Sequence, residues 1–218
     1  FRRVLFRSTT QYVASGKVPG LVPSRWALSE NDGVLRVASQ TGDPWQPAET
    51  VVSTFREQDG QLVRLGSVGG MGQGEQIKAV RWFGDMAVVV TFRQTDPLYT
   101  LDLSVPQTPR VVGELKIPGF SAYLHPVGGD LILGVGQSAT RSGMTLGSQV
   151  SLFDLADLTN PKRVALRSLG HNVYSAVESD SRAFTYLPDS GVALIPIDDY
   201  RGHSSLAVIT VSSNGTLS

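Results

Sequence analysis

An all-β fold of four-stranded antiparallel blades, a β-propeller, is predicted by three observations. First, Leu101-Asp102-Leu103-Ser104-Val105-Pro106-Gln107-Thr108-Pro109-Arg110-Val111-Val112 recurs as Phe153-Asp154-Leu155-Ala156-Asp157-Leu158-Thr159-Asn160-Pro161-Lys162-Arg163-Val164, so that Asp102 and Asp154, like Pro109 and Pro161, stand 52 residues apart. Second, acidic turns at Asp32, Asp85, Asp130 and Asp189 mark spacings of 53, 45 and 59 residues. Blade repeats run at about 40–50 residues, with loops taking up the scatter. Third, short runs of strand-forming residues alternate with Gly, Pro and Asp, and they are too short for ordinary helices.

The clearest unit has strands at 79–83, 86–93, 98–103 and 111–117, closed by Gly84-Asp85 and stopped by Pro118-Gly119. The next repeats the plan at 122–126, 131–136, 150–155 and 164–169, with a flexible loop expected at 138–147. A divergent unit precedes them at 26–30, 34–39, 51–56 and 62–68. After a long connection at 170–182, the last unit has strands at 183–187, 192–197 and 206–211 and no fourth strand. β-Branched runs bounded by turn residues are what such strands require.

These boundaries divide the chain into an outer strand at 11–20 and blades at about 25–71, 76–119, 120–170 and 172–218. The outer strand is expected because Val13-Ala14-Ser15-Gly16-Lys17-Val18-Pro19-Gly20 resembles Val112-Gly113-Glu114-Leu115-Lys116-Ile117-Pro118-Gly119. A chain that enters and leaves mid-blade is expected to be an arc of a larger ring, with a four-blade ring closed by the N-terminal strand as the alternative, because a propeller protects its sheet edges by closing. The opening Phe1-Arg2-Arg3-Val4-Leu5-Phe6-Arg7-Ser8 looks like a translated sequencing adapter, with a genuine edge strand as the alternative.

Composition narrows the function classes. The 218 residues carry no cysteine, 17% charged residues and a formal net charge of zero. Neither a basic stripe for nucleic acid nor an acidic tail is visible. The longest apolar runs, such as Met86-Ala87-Val88-Val89-Val90, fall far short of the roughly 20 residues that span a bilayer. The 23 glycines and 12 prolines suit many tight turns.

Catalytic patterns are weak. Gly69-Gly70-Met71-Gly72-Gln73-Gly74 lacks the Gly-Lys-Ser/Thr of a phosphate loop and reads as an interblade connection. Gly119-Phe120-Ser121-Ala122-Tyr123 and Gly202-His203-Ser204-Ser205-Leu206 lack the second Gly of a nucleophile elbow. The three histidines, His125, His171 and His203, have no zinc-ligand spacing, so no metal or cofactor is expected. The four turn aspartates suit hairpin geometry better than a shared Ca²⁺. Asp102 and Asp154 read as turn residues, with a side chain accepting local amides and a proline fixing the bend; Asp96-Pro97 reads likewise. On the inner strands, which line a propeller's channel, Arg81, Tyr123 and His125 are the binding candidates, and Trp26, Trp82 and Tyr186 share that layer.

Several motifs carry a family resemblance: Leu35-Arg36-Val37-Ala38, Gly74-Glu75-Gln76-Ile77, Val80-Arg81-Trp82-Phe83-Gly84-Asp85, and Val90-Thr91-Phe92-Arg93-Gln94-Thr95-Asp96-Pro97-Leu98-Tyr99 with Asp102-Leu103. Glu114-Leu115-Lys116-Ile117-Pro118-Gly119-Phe120-Ser121-Ala122-Tyr123-Leu124-His125-Pro126 continues them. Over roughly residues 13–199 the chain resembles a family of bacterial secreted proteins built on a β-propeller domain. The resemblance implies an extracellular or surface-anchored protein and transfers no catalytic residue. The expected function is a non-enzymatic scaffold for a protein or glycan. The competing expectation is a metal-dependent hydrolase or lyase with its site in the channel.

Overall fold

The computed structural model describes residues 12–43, 45–93, 96–140 and 142–218. The octapeptide at 1–8, residue 11 and the Gln94-Thr95 part of the predicted 94–97 turn lie outside them. Four antiparallel sheets of four strands follow one another along the chain. The first holds β1 (Leu28–Asn31), β2 (Val34–Asp43), β3 (Gln46–Gln58) and β4 (Gln61–Met71), and the second β5 (Gln76–Phe83), β6 (Met86–Phe92), β7 (Asp96–Asp102) and β8 (Arg110–Ile117). The third holds β9 (Phe120–Gly128), β10 (Leu131–Ala139), β11 (Thr145–Asp154) and β12 (Lys162–Ser168). In the fourth, β13 (Val173–Tyr174) and β14 (Thr185–Leu187) both pair with one edge of β15 (Val192–Asp199), and β16 (Ser204–Thr210) pairs with the other.

Strand alternation explains the core. Ala87, Val88, Val89 and Val90 are all fully buried, although a half-exposed strand would alternate with polar residues. Ala87 and Val89 pack toward the first sheet, with Ala38, Val52 and Met71. Val88 and Val90 point the other way, to Leu124, Ile132 and Phe153 of the third. Strand β10 repeats the division: Ile132 joins that second cluster, while Leu133 and Val135 meet Ile195 and Ile209 of the fourth sheet. Each middle sheet is therefore apolar on both faces, and each junction has its own core.

The repeated motif forms the 103–109 and 155–161 loops that join third to fourth strands. Asp102 Oδ1 accepts from the Ser104 amide at 3.0 Å, and Asp154 Oδ1 from the Ala156 amide at 2.9 Å. The preceding acidic turns close the same ends, since the Leu103 amide donates to the Asp85 carbonyl and the Leu155 amide to that of Asp130, at 2.7 and 2.9 Å. Each loop also reaches the preceding sheet. Thr54 Oγ1 donates to the Pro106 carbonyl at 2.6 Å, and Thr100 Oγ1 to the Leu158 carbonyl at 2.5 Å. Gly66 and Gly113, paired with these threonines, leave the room: a Cβ at Gly113 would stand 2.1 Å from the Leu158 carbonyl oxygen.

Several boundaries differ from the sequence expectation. Trp26 lies in a short 3-10 helix (Arg25–Ala27) instead of a strand, where Ser24 caps the first turn. Strands β3 and β4 run on to a long hairpin, so that Gly69, Gly70 and Met71 belong to β4. The expected 138–147 loop contracts, because β10 extends to Ala139 and β11 starts at Thr145. In the last unit, Thr210 and Ser218 exchange backbone hydrogen bonds in both directions, 2.9 and 3.1 Å. That is the same eight-residue return that pairs Asp102 with Arg110 and Asp154 with Lys162. At the N-terminal side, the Leu62 amide donates to the Ser15 carbonyl at 2.9 Å, and Gly20 approaches Gln40 closely with φ +74°.

Candidate functional site

The first strands β1, β5 and β9 are edge strands of their sheets, and β14 lies along the corresponding edge of β15. Register fixes equivalent positions on them: Ser29 pairs with Arg36, Arg81 with Val88, His125 with Leu133, and Thr185 with Leu194. Arg81 and His125 are thus the same position in successive sheets. A cleft of about 230 Å³ opens between β5 and β9, lined by Trp26, Lys78, Arg81, Tyr123 and Glu178 among others.

The structure brings the three candidate residues together. The Arg81 guanidinium stands over the rings of Trp26 and Tyr123, 4.5 and 4.7 Å from their centroids, and its Nε donates to the Leu124 carbonyl at 2.5 Å. Such cation–π stacking gains strength where water is excluded. The Tyr123 hydroxyl lies 3.1 Å from His125 Nδ1. Phe184 packs on both, at 5.0 and 4.8 Å between centroids, and Tyr186 faces His125 at 5.3 Å. Tyr186 is fixed in turn by its hydroxyl, which donates to the Val127 carbonyl at 3.1 Å. Trp82 braces the rim, its Nε1 donating to the Trp26 carbonyl at 2.9 Å.

Electrostatics follow from this half-buried setting. Burial lowers the pKa of Arg81, opposed by Tyr123. Burial raises that of Tyr123, opposed by Arg81. Burial first and the Arg81 charge second push His125 below its ordinary 6.5. Both causes disfavour the charged imidazolium, and in the neutral ring Nδ1 can accept from the Tyr123 hydroxyl.

Two contributors escaped sequence reasoning. Lys78 sits on a bulge: Ile77 pairs with Thr91 and Ala79 with Val90, so Lys78 has no partner in the ladder. The residue lines the cleft and a second one beside it, and its ammonium lies 3.4 Å from Gln76 Oε1 and over the Phe120 ring. The other contributor is Glu178. The long 170–182 connection is a detour that splits the first strand of the fourth sheet into β13 and β14, with 3-10 helices at Ala176–Glu178 and Ser181–Ala183. Glu178 Oε1 accepts from Gln137 Nε2 at 2.6 Å, Ser148 Oγ at 2.8 Å and the Ser175 amide at 3.0 Å. The Ser175-x-x-Glu178 spacing of a capping box was the available signal.

Other motifs resolve as structure. The amides of Gly70, Gly72 and Gly74 donate to Glu49 Oε2, the Tyr99 hydroxyl and the Ala48 carbonyl, so this glycine run has its N–H groups committed internally. Burial pushes that Tyr99 hydroxyl up to about 12. Ser204 bonds Asp198 while His203 bonds Asp199, so serine and histidine have different carboxylate partners. Asp32 takes φ 50° in its turn, and Asp85 Oδ1 accepts from Asn31 Nδ2 at 3.3 Å. Among the described residues no three His, Cys, Asp or Glu side chains are grouped to hold a metal ion. No described helix is long and apolar enough to cross a membrane.

Residues 4–218 match a family model described as "Beta propeller domain". An uncharacterized protein of Methanocaldococcus jannaschii is 43% identical over 152 residues, which cover 70% of this chain and 24% of the relative. One of Archaeoglobus fulgidus is 41% identical over 179 residues, covering 82% of this chain and 27% of the relative. The chain spans about a quarter of the length of these relatives. Both are archaeal, which corrects the bacterial family that the sequence resemblance implied. Among solved structures, Sqt1 from Chaetomium thermophilum superposes with a TM-score of 0.55 at 16% identity, over 84% of this chain and 44% of that one, a likeness of fold.

Proposed function

The chain belongs to the beta propeller domain family, and we propose on that premise that it is part of a non-enzymatic interaction scaffold that takes a protein or glycan ligand on its inner-strand face. The observation that carries this is the cleft itself: a cation wedged between Trp26 and Tyr123, with His125 against Tyr123 and aromatic surface on both sides. Aromatic rings with a few fixed polar groups are the surfaces on which sugars and side chains are recognised.

The same proposal makes the four sheets an arc of a larger ring. By register, Leu206 and Val208 on β16 hold the places of Leu98 and Thr100 on β7. Leu98 is 1% exposed under the third sheet, whereas Leu206 is 56% exposed. A further blade would cover it. An extracellular or cell-surface setting belongs to the proposal through the sequence resemblance alone, and a leader or anchor in the intact protein tests it.

The scaffold reading is tested with the purified chain on glycan and protein arrays, alongside Arg81→Gln. Retained binding partners that the variant loses support it. Turnover of a substrate that Arg81→Gln abolishes would overturn it in favour of an enzyme.

A further inference from the structure

The return at 211–217 departs from its counterparts in the second and third sheets. Thr210 pairs with Ser218 as Asp102 does with Arg110 and Asp154 with Lys162, so Asn214 holds the place of Pro106 and Leu158. Those two are half-buried, and their carbonyls are docked on Thr54 and Thr100 of the sheet before. The third sheet presents Leu152 at the threonine position, with no hydroxyl to offer. Asn214 is accordingly exposed, as are Ser213 and Thr216. Between them a Cβ added at Gly215 would meet only Val164, at 3.6 Å.

The turn itself is well defined. The Gly215 amide donates to the Ser212 carbonyl and the Ser212 amide to the Thr216 carbonyl, both at 3.0 Å, and Gly215 takes φ +83°. This is a three-residue hairpin loop with glycine at its left-handed position. Within it the Thr216 hydroxyl donates to Asn214 Oδ1 at 2.9 Å, and no described hydrogen bond engages Asn214 Nδ2. Asn214-Gly215-Thr216 has the Asn-x-Thr spacing, with a middle residue other than proline, of an N-glycosylation acceptor. The other asparagines, Asn31, Asn160 and Asn172, are followed two residues on by Gly33, Lys162 and Tyr174, so the spacing occurs once in the chain. Spacing alone does not make a site. Here it coincides with the one eight-residue return that is left undocked, on a turn that presents the reacting amide to solvent.

We propose that Asn214 is an N-glycosylation site and carries a glycan on its Nδ2. This rests on the extracellular or cell-surface setting put forward above. The step joins Asn214 Nδ2 to the anomeric carbon of a glycan carried on a polyisoprenyl phosphate or diphosphate. The bond from that carbon to the phosphate oxygen breaks, the lipid phosphate leaves with the electron pair, and Nδ2 gives up one proton to a base of the transferase. The attachment point lies at a cleft of about 610 Å³ between the third and fourth sheets, lined by Asp154, Val164, Tyr186 and Asn214 among others. That cleft shares no lining residue with the one between β5 and β9, so the glycan leaves the candidate ligand site open.

The test uses the intact protein that contains this chain. It is produced in an archaeal host that N-glycosylates its surface proteins, a choice that follows the archaeal relatives. Asn214→Gln, Thr216→Ala, Thr216→Ser and Ser213→Ala are made beside the parent, and mass spectrometry reads the peptide spanning Asn214 from surface and cytoplasmic fractions. The expected result is a glycan mass on that peptide in the surface fraction. Asn214→Gln and Thr216→Ala should abolish it, whereas Thr216→Ser, which keeps the hydroxyl, and Ser213→Ala, an exposed neighbour in the same turn, should retain it. Unfolding midpoints matching the parent's separate these losses from misfolding. Surface protein with Asn214 bare, or a glycan that persists in Thr216→Ala, overturns the site and leaves the scaffold reading standing. Protein confined to the cytoplasm overturns the surface setting, and the glycan with it.

Discussion

The hydroxyl of Thr54 in the first sheet donates to the carbonyl oxygen of Pro106 in the second, across 2.6 Å. One sheet further on, Thr100 does the same to Leu158. The repeated motif is thus an interlock, in which the loop joining the last two strands of one sheet docks on the third strand of the sheet before it. At the third junction the threonine position is Leu152, opposite Ala165, and both lie in the apolar cluster with Ile209 and Leu217. The same joint is made there by packing instead of hydrogen bonding.

Thr54→Val and Thr100→Val should each destabilise the chain, because both threonines are fully buried and each change strands a carbonyl. A buried acceptor left unpaired costs about 1–3 kcal/mol. Urea unfolding should show the loss in the midpoint with little change in slope. Equal stability of Thr100→Val and the parent would remove the interlock.

Gly113→Ala should be harmful for a steric reason. Its φ is not in the left-handed region, yet a Cβ would meet the Leu158 carbonyl, Thr100 Oγ1 and Pro161. Overpacking of this kind costs about 1–3 kcal/mol. At Gly33, where nothing lies within 4 Å but φ is +74°, alanine should cost less, only the strain of the turn. Thermal unfolding of the two variants separates collision from conformation.

Asp102 should contribute to acid stability. Bonds from the Ser104 hydroxyl and amide, then from Arg110, hold its carboxyl at about 2, below the ordinary 3.8. A depressed carboxylate stabilises the fold above its unfolded pKa, and that contribution fades as pH falls from about 3.8 through about 2. Asp102→Asn should flatten this part of the stability-against-pH curve, as read by urea midpoints at successive pH values. The Arg110 partner is 65% exposed, so solvent screening keeps the effect modest.

How much of this was legible depends on the kind of contact. Asp102 and Asp154 were readable as turn formers because their side chains act on amides two residues away. The acceptors Pro106 and Leu158 were not, because a backbone carbonyl leaves no mark in the residue type. The Val88–Val90 run read as a strand, and its burial on both faces comes from packing at two junctions. Lys78 was missed because a bulge breaks the period of two on which facing is read. Glu178 was missed because a detour in a first strand looks like a long loop. Arg81, Tyr123 and His125 were candidates because they fall on the first strands of their sheets, and that the three touch one another is a contact the sequence did not show.

His125 should titrate below 6.5. Because its folded pKa is lowered, the unfolded chain binds the extra proton first, so stability rises with pH up to about 6.5 and is lost on acidification below it. Arg81→Gln should bring the titration partway back toward 6.5, since burial, the larger cause, remains. Imidazole proton NMR across pH 4–8 reads this directly, with an unshifted midpoint in the variant contradicting the proximity of the two charges.

The central claim, that these four sheets are an arc of one ring presenting its inner strands to a ligand, is tested most directly by an experimental structure of the intact protein that contains this chain. The account predicts another four-stranded sheet seated on β16, with Leu206 and Val208 buried as Leu98 and Thr100 are. Leu206 and Val208 left in solvent in that structure, or β9 and β5 facing away from a common channel, would contradict it.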